Sequence, residues 1–408
     1  MTRHEGGRVL ATLVRLTGDI TIAEDAVQDA VVEALRRWPR DGVPANPAAW
    51  LTTVARNRAL DVLRREARRT TKEGDARLLD ELTTAFGEDT SDSMVRDDLL
   101  RLLFTCCHPA LALDARVALA LRTLCGMSTA EIALVFLVPE PTMGQRISRA
   151  KKKIATARIP YRIPADHELP DRVTAVLAVV HAVVTAGHHS PAGPLDARID
   201  LAVEGVRLAL LLHSLMPDEP ECAGLAALAM AVHARRDGRL DAAGEVVLLP
   251  AQDRTRWHHD EIAAAAALLD RAVARHRPGQ YQVQAAVACL HGLAPTYADT
   301  DWAQIVSLYA TLERFAPTPV VSVNRAVAVA ELEGAAAGLA VLDTVDVAAV
   351  ERWHLFWSTR GELLHRLGRS HDAVAAFDRA LGCAPNDSDR RFLLRRRSDL
   401  AGEGRQPA

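Results

Sequence analysis

The sequence predicts an all-α protein, made of two small helical domains followed by a longer helical-repeat array. Three observations support this prediction. Alanine and leucine dominate a chain that is 49% hydrophobic but only 4% aromatic, β-branched runs are short, and apolar residues recur at helical spacing along most of its 408 residues. A chain of this length can bury more than one hydrophobic core, so we expect several helical domains in series.

The charge of the chain is distributed in blocks. Residues 1–70 contain 12 Lys and Arg against 9 Asp and Glu, and residues 115–163 contain 9 against 2. Residues 71–114, which lie between these two blocks, contain 4 Lys and Arg against 10 Asp and Glu. Residues 164–408 contain 24 Lys and Arg against 31 Asp and Glu. Two basic modules on either side of an acidic connector indicate a polyanionic partner, although any solvated helix also presents a charged face.

The first basic module begins with a well-delimited helix over residues 21–38. Thr21 and Glu24 form a capping-box pattern at its start. Apolar residues follow one face of this helix at helical spacing. The polar side chains that lie largely off that face are Asp25, Gln28, Asp29 and Glu33.

A second helix follows a segment rich in proline and glycine, which ends the first helix near Trp38. Asn46 is the predicted N-cap of the second helix and Pro47 its first residue, and the helix runs to about Arg69. Six arginines crowd its second half: Arg56, Arg58, Arg64, Arg65, Arg68 and Arg69. Residues 71–95, which come next, are polar and acidic with weak periodicity, so we expect a flexible or partly helical linker.

The second basic module ends in two short helices joined by a tight turn. Ser128 and Glu131 form a capping box before a helix that ends near Leu137. Residues 138–141 form the turn, and Pro141 is suited to the first position of the next helix. The apolar stripe of that helix is Met143, Ile147, Ala150 and Ile154. Its opposite face carries Gln145, Arg146, Arg149, Lys152 and Lys153.

This helix pair predicts a helix-turn-helix, in which the second helix lies in the major groove of DNA. Arginine and glutamine on its exposed face can pair with guanine and adenine edges. Lys151, Lys152 and Lys153, three of the four lysines in the chain, would neutralise phosphates at the helix end. The alternative is an ordinary helical hairpin with a solvated face.

Residues 164–408 show one helical pattern after another. Gly334 and Gly368 are 34 residues apart, which is the tetratricopeptide period. Such arrays present a concave surface, so the predicted partner is a protein or peptide, and the alternative is a structural cap. Residues 240–257 interrupt the pattern and predict a short hairpin or an extended loop. Within them, Asp253, Arg254 and Trp257 are expected either to line an interface or to form a structural ion pair.

Several classes of protein are excluded. The six cysteines lack Cys-x-x-Cys spacing, which favours a reducing compartment, and Cys106, Cys107 and His108 have no second ligand pair for a metal. The longest apolar stretch, residues 174–187, is too short to span a bilayer, and no secretory signal is present. No nucleotide-binding or catalytic motif occurs, so we expect a cytoplasmic protein without cofactor, metal, catalytic activity or membrane partner.

The two basic modules together resemble two regions of the sigma-70 family. AEDAVQDAVVEALRRW and NPAAWLTTVARNRALDVLRRE resemble region 2, and GMSTAEIALVFLVPEPTMGQRISRAKKKI resembles region 4. The linker is too short for a region 3, as in the extracytoplasmic-function (ECF) sigma factors. FTCCHPAL, QDRTRW and YQVQAAVACLHG resemble the ECF group with a tetratricopeptide-like extension. The resemblance implies region 2 at residues 1–70, a linker at 71–95, region 4 at 96–163 and the extension at 164–408.

The resemblance also implies partners and roles. The partners are promoter DNA and core RNA polymerase, contacted at its β′ clamp and β flap. Residues of the clamp-binding face are Asp25, Gln28 and Asp29. Residues that open and recognise the minus-ten element are Trp50, Arg56, Asn57, Arg58, Asp61 and Arg64, and the loop at residues 39–47 matches the one that holds a flipped-out base. Residues in the helix that recognises the minus-thirty-five element are Gln145, Arg146 and Arg149, with Lys152 and Lys153 on phosphates.

We therefore expect a promoter-specificity subunit of RNA polymerase. The segment before Asp19 is short for the first helix of region 2, which motivates a first alternative: a DNA-binding regulator without polymerase binding. A second alternative is a helical peptide-binding scaffold. The extension is expected to regulate polymerase engagement.

Overall fold

The computed structural model describes residues 3–70, 92–136, 138–189, 195–241, 246–384 and 387–403. These residues form α-helices joined by turns, with three 3-10 helices and one isolated antiparallel bridge between Leu240 and Val246. The predicted all-α fold class is confirmed. The chain divides into two compact units, Met1–Val183 and Val184–Ala408. Residues 71–91 of the predicted linker lie outside the described part.

The first unit begins with three helices and continues with four more before it enters the long helix α8. Its helices are α1 (Arg3–Thr17), α2 (Ile20–Asp41), α3 (Pro47–Thr70), α4 (Asp92–Cys106), α5 (Leu113–Thr123), α6 (Thr129–Val135) and α7 (Glu140–Thr156), and α8 (Leu169–His189) begins in this unit and continues past its last residue, Val183. A 15-residue α1 therefore occupies the segment before Asp19, and its Leu13 and Val14 are almost completely buried.

The N-terminus of α2 differs from the prediction. Asp19, not Thr21, is the N-cap, and its Oδ1 accepts hydrogen bonds from the backbone amides of Thr21 (2.6 Å) and Ile22 (3.2 Å). Glu24 faces the interior and is only 7% exposed, so the predicted capping box of Thr21 and Glu24 is wrong. The helix also continues past Trp38 to Asp41.

The caps of the next helices follow the sequence more closely. Asn46 Oδ1 accepts from the amide of Ala49 (3.0 Å), and α3 begins at Pro47 as predicted. At α6, the amide of Ser128 donates to Glu131 Oε2 (2.7 Å) and the amide of Glu131 donates to Ser128 Oγ (3.2 Å), which is a reciprocal capping box.

The turn before α7 and the end of α6 differ slightly from the sequence-based expectation. The helix α7 begins at Glu140, so Pro141 occupies its second position, where a missing amide hydrogen is tolerated equally well. The helix α6 ends at Val135, and Leu137 lies outside the described residues. The apolar stripe of α7 is buried as predicted: Met143, Ile147, Ala150 and Ile154.

The helix α8 is longer than the apolar stretch that the sequence suggested. Its segment Leu169–Gly187 is long and apolar enough to cross a bilayer by length and composition, with a mean hydropathy of 1.4, and 44% of that segment is buried inside the protein.

The second unit is a series of helices, many of which pack against the next helix in the chain. After α8 come α9 (Leu195–Leu215), α10 (Pro220–His233), α11 (His259–Val273), α12 (Gln280–Leu293), α13 (Trp302–Phe315), α14 (Pro319–Glu333), α15 (Ala335–Leu342), α16 (Val347–Val350), α17 (His354–Arg366), α18 (Ser370–Gly382) and α19 (Asp387–Glu403). Between α10 and α11, residues 240–257 form the bridge and two 3-10 helices instead of regular structure.

The 34-residue period corresponds to two helical hairpins, α14–α15 and α17–α18. Gly334 ends α14 with a φ of +97°, and Gly368 follows α17 with a φ of +73°, conformations that a residue with a Cβ adopts only with strain. Each glycine therefore lets the chain turn back onto the preceding helix.

A methyl group at Gly361 should destabilise the second hairpin. A Cβ there would lie 2.7 Å from two ring carbons of the buried Phe377, so we expect Gly361→Ala to cost about 1–3 kcal/mol. Gly382→Ala is the matched control, because no atom lies within 4 Å of a Cβ at that helix end. Urea denaturation of both variants measures the difference, and equal free energies of unfolding would contradict the close packing.

Candidate nucleic-acid interface

The helix α2 presents a short acidic face to solvent. Asp25, Gln28 and Asp29 are exposed, while the alanines on the opposite side of the helix are buried in the first unit. Glu33 on the same helix is paired with Arg37, whose Nε lies 2.7 Å from Glu33 Oε1. Among the described residues neither Asp25 nor Asp29 forms an ion pair, so their charges are available to a partner.

A fourth acidic residue of α2, Glu24, points into the protein and not toward solvent. Its Oε2 lies 2.6 Å from Lys151 Nζ on α7 and 3.7 Å from Arg122 Nε on α5. Lys151, which the sequence predicts to contact phosphate with the other two lysines of the run, is therefore an internal ion-pair partner in this structure. This residue lies on the side of α7 opposite to Gln145 and Arg149.

A second group of contacts joins α1 to α4. Asp98 is fully buried, and its carboxylate accepts from Arg15 Nε (3.0 Å) and Arg101 Nη1 (3.0 Å). Burial raises the pKa of Asp98, and the two guanidinium groups oppose that effect. The hydroxyl of Tyr161 lies within hydrogen-bond distance of the carbonyls of Ala11 (2.8 Å) and Asp98 (2.9 Å). These contacts hold α1 and α2 against the helices of the second basic module.

The start of α3 combines an aromatic pair with a polar surface. Trp50 is half-buried and packs edge-to-face on Trp38, with ring centroids 5.6 Å apart. About two helical turns beyond it, Asn57 and Arg58 are exposed. The N-terminal half of α3 therefore carries an aromatic ring and hydrogen-bond donors, an arrangement suited to capturing unpaired bases.

The remaining residues predicted for this surface differ in how exposed their side chains are. Asp61 and Arg64 are about half exposed and lie 3.7 Å apart as an i,i+3 pair, which leaves both accessible. Arg56 is half-buried, and burial lowers its pKa. Arg56 therefore contributes to the packing of α3 as well as to the charge of the surface.

The exposed face of α7 divides into free and engaged side chains. Gln145, Arg149 and Lys152 are exposed and form no ion pair or hydrogen bond with the part of the chain that the structure describes. Arg146 Nη1 lies 3.3 Å from Asp114 Oδ2, and its guanidinium stands 5.5 Å from the ring centroid of Phe136. Lys153 Nζ donates to a backbone carbonyl of the loop before α5.

The cysteine pair is part of the core. Cys106 and Cys107 are buried, the Sγ of Cys106 lies 3.4 Å from Thr123 Oγ1, and burial raises the pKa of Cys106 to about 12. Within the described ranges, no group of three or more His, Cys, Asp and Glu side chains is arranged to hold a metal ion.

Three parts of the chain match family models. Residues 1–69 match sigma-70 region 2, residues 101–154 match sigma-70 region 4, and residues 172–273 match a family of unknown function (DUF6596). An uncharacterized protein of Rhizobium meliloti (strain 1021) is 41% identical over 398 residues, which cover 97% of this chain and 94% of that protein.

Two ECF RNA polymerase sigma factors of Mycobacterium tuberculosis are also similar. SigJ is 33% identical over 212 residues, which cover 49% of this chain and 65% of SigJ. SigL is 34% identical over 142 residues, which cover 35% of this chain and 77% of SigL. The chain belongs to the ECF sigma factors. In this ECF sigma factor the region 2 match covers α1–α3, and the region 4 match runs from the second half of α4 to the last turn of α7.

The sequence did not reveal the residues that join the two regions of this ECF sigma factor. Their contacts span up to 150 positions of the chain, so no local pattern indicated these residues, which are Glu24, Lys151, Asp98 and Tyr161. One weak signal was present: Lys151 falls outside the exposed stripe of α7 when the helix is drawn at 3.6 residues per turn.

Proposed function

We propose that this chain directs core RNA polymerase to specific promoters, with residues 1–70 acting as region 2 and residues 96–163 as region 4. The acidic residues 71–95 link them, and residues 164–408 form the extension. The observation that supports this proposal is the exposure of three chemically distinct surfaces on the two matched regions. They are the acidic face of α2, the aromatic and polar start of α3, and the cationic face of α7.

In this proposal the acidic face of α2 docks on the β′ clamp. Asp25 and Asp29 are unpaired in the described chain and lie one helical turn apart, with Gln28 beside them. A pair of free carboxylates on a rigid helix suits a basic partner surface, because electrostatic complementarity fixes orientation and raises the association rate. Region 4 docks on the β flap, which would place α7 over the upstream DNA.

Two further surfaces contact the promoter. The start of α3 and residues 39–47 hold the opened minus-ten element, with Trp50 as a stacking surface and Asn57 and Arg58 as donors. Arg56, Asp61 and Arg64 complete that surface. On α7, Gln145 and Arg149 contact base edges of the minus-thirty-five element, and Lys152 contacts phosphate.

Two of the five residues proposed for the upstream element have a dual role. Arg146 is held by Asp114 and Phe136, and Lys153 by a backbone carbonyl, so both first position α7 within region 4. Each keeps donor hydrogens for DNA, because a guanidinium has five and an ammonium three. Arg146 and Lys153 are therefore secondary contacts in this proposal.

The chemistry of RNA synthesis belongs to the polymerase. The role proposed here needs binding and positioning only, and it needs no cofactor. A promoter-specificity subunit works in the cytoplasm, where the polymerase and the promoter are.

The contact between α2 and α7 implies an opening step. The minus-ten and minus-thirty-five elements are about 25 base pairs apart, roughly 85 Å along B-DNA at 3.4 Å per base pair. In the first unit the two helices are instead joined directly through Glu24 and Lys151. We therefore propose that this ion pair separates when both regions engage a promoter on the polymerase.

Loss of the Glu24 carboxylate should destabilise the free chain without lowering transcription. Glu24→Gln leaves Lys151 and Arg122 without their shared partner, so we expect the first unit to lose about 3 kcal/mol. Transcription should stay constant or rise, because the contact is absent from the working complex. Chemical denaturation and in vitro transcription measure the two effects.

Glu33→Gln is the control, since its exposed pair with Arg37 contributes only about 0.3–0.5 kcal/mol. A parallel loss of stability and transcription in Glu24→Gln would contradict the opening step.

The C-terminal extension is proposed to regulate polymerase engagement. A chain that ends at His189 retains the whole of α8 and lacks the remaining helices. If the extension is regulatory, this shortened chain should give a different transcript yield from the full chain with the same core polymerase. An unchanged yield would support a structural cap instead.

Purified core polymerase provides the test of the proposed function. The chain should co-purify with core polymerase and produce transcripts from defined start sites that core polymerase alone does not produce. Binding to DNA without core polymerase binding would instead favour a regulator of the first alternative. If the chain bound neither DNA nor core polymerase, the second alternative, a peptide-binding scaffold, would be favoured.

A further inference from the structure

A cluster of arginines in the second unit surrounds one tryptophan. Arg235 follows α10 directly, Arg239 comes one turn later, and Arg254 belongs to the QDRTRW segment. The guanidinium of Arg254 stands 4.5 Å from the ring centroid of Trp257, and that of Arg235 stands 5.6 Å from it. Trp257 itself is buried. Positive charge is therefore concentrated around a fixed aromatic platform.

These arginines differ from their neighbours in having no acidic partner. Arg236 forms two hydrogen bonds to Glu261, at 2.6 and 2.8 Å, and Arg275 pairs with Asp218 at 3.0 Å. Within the described residues, Arg235, Arg239 and Arg254 form no ion pair with a carboxylate. The sequence-based alternative of a structural ion pair between Asp253 and Arg254 is not observed, because Asp253 instead accepts from Thr255.

Several donors of the cluster are buried and unused. Arg254 Nη1 donates to the carbonyls of His291 (2.6 Å) and Ala294 (2.7 Å), which fixes the guanidinium in place. Its Nη2 atom has no hydrogen-bond partner in the described part of the chain. The same is true of Arg235 Nε, Arg239 Nη1 and His291 Nδ1, all of which are buried atoms. Buried donors of this kind normally have partners, so their accumulation at one place calls for an external acceptor.

The electrostatics of the cluster also favour an anion. Burial, with the charges of Arg239 and Arg254, lowers the pKa of Arg235 to about 10. Burial, with the charges of Arg235 and Arg254, lowers the pKa of His291 to about 4, so this imidazole is neutral at pH 7 and adds no charge to the cluster. Like charges held together in a partly buried site repel one another unless a counter-ion binds between them.

We propose that Arg235, Arg239 and Arg254 bind the phosphoryl group of a small phosphate-bearing molecule. Three guanidinium groups match a phosphate better than a carboxylate, because a phosphate has up to two negative charges and three free oxygens for bidentate donors. The three side chains are each partly exposed, which leaves a route from solvent. The unused atoms are buried, so we expect the ligand to be a small molecule and not a DNA duplex. This site is independent of the proposed promoter contacts.

Calorimetric titration of the full chain with inorganic phosphate tests this proposal. We expect saturable binding to the native chain, weakened about tenfold or more in Arg235→Gln and in Arg239→Gln, because each change removes charge-assisted hydrogen bonds. Arg256→Gln is the matched control: it removes the same charge from an exposed position in the QDRTRW segment and should bind phosphate with unchanged affinity.

Different results of these measurements support or overturn the phosphate site. Phosphate should raise the midpoint of thermal unfolding of the native chain and of Arg256→Gln, and should have no such effect in either cluster variant that circular dichroism shows to be folded. No saturable binding, or equal affinities in Arg239→Gln and Arg256→Gln, would overturn the site. Acetate binding as tightly as phosphate would overturn the assignment to a phosphoryl group. None of these measurements depends on polymerase or promoter.

Discussion

Asp25→Arg combined with Asp29→Arg should abolish promoter-specific transcription by this ECF sigma factor. Both side chains are exposed on α2 and have no ion-pair partner in the described chain, so the substitutions leave the core intact. Against a basic clamp surface, each reversal replaces an attraction by a repulsion. We expect a loss of about 3–5 kcal/mol in polymerase affinity, or more than 100-fold. Co-purification with core polymerase and transcript yield measure the effect.

Asp97→Arg is the matched control for this double substitution. Asp97 is exposed on α4, outside the acidic face of α2, and the change alters the charge of the same unit in the same direction. It should leave polymerase binding within about twofold, since isolated surface charges contribute little. Normal polymerase binding by the double variant would show that the acidic face of α2 is only a solvated helix surface.

Arg149→Glu should remove recognition of the upstream promoter element. Arg149 is exposed on α7 and unengaged within the described chain, so its charge reversal leaves region 4 folded. A bidentate arginine–base pair contributes about 1–3 kcal/mol of discrimination, and a carboxylate in the groove adds repulsion from phosphates. We expect at least tenfold lower transcription from a promoter that depends on its minus-thirty-five element. Arg271→Glu, at an exposed position of α11, is the control and should have no effect.

Arg149 is a cleaner probe of α7 than Arg146. Because Arg146 pairs with Asp114 and stands over Phe136, its replacement would disturb the packing of α7 together with any DNA contact. If Arg149→Glu transcribed normally from that promoter, with polymerase binding intact, the proposed role of the α7 face would be wrong.

Local sequence patterns were sufficient to predict the elements of the fold, but they were not sufficient to predict every helix cap. The Ser128–Glu131 capping box forms as its pattern predicts, with both reciprocal hydrogen bonds. The identical pattern at Thr21 and Glu24 fails for two physical reasons. Asp19 is a better-placed cap two residues earlier, and burial against Lys151 draws the Glu24 carboxylate away from the helix end.

The exposed residues of the candidate surfaces were also predictable, because helical periodicity separates them from the core. What periodicity cannot supply is contact between distant segments. The pair of Glu24 and Lys151 spans 127 positions, and the bonds of Tyr161 to Ala11 and Asp98 span 150 and 63. The sequence singled out Arg254 and Trp257, but it did not show that Arg235 and Arg239 join them, since these two arginines come from a separate part of the chain. The roles of the individual promoter and polymerase residues remain predictions.

The central claim is that one chain recognises two separated promoter elements through two different helical regions while it is bound to core polymerase. Transcription from a randomised promoter library, followed by sequencing of the transcribed templates, tests it most directly. We predict two enriched blocks at a fixed spacing upstream of the start site. Arg149→Glu should erase the upstream block, and Arg58→Ala should weaken the downstream block. Transcripts without any enriched block, or a single block insensitive to both substitutions, would contradict the account.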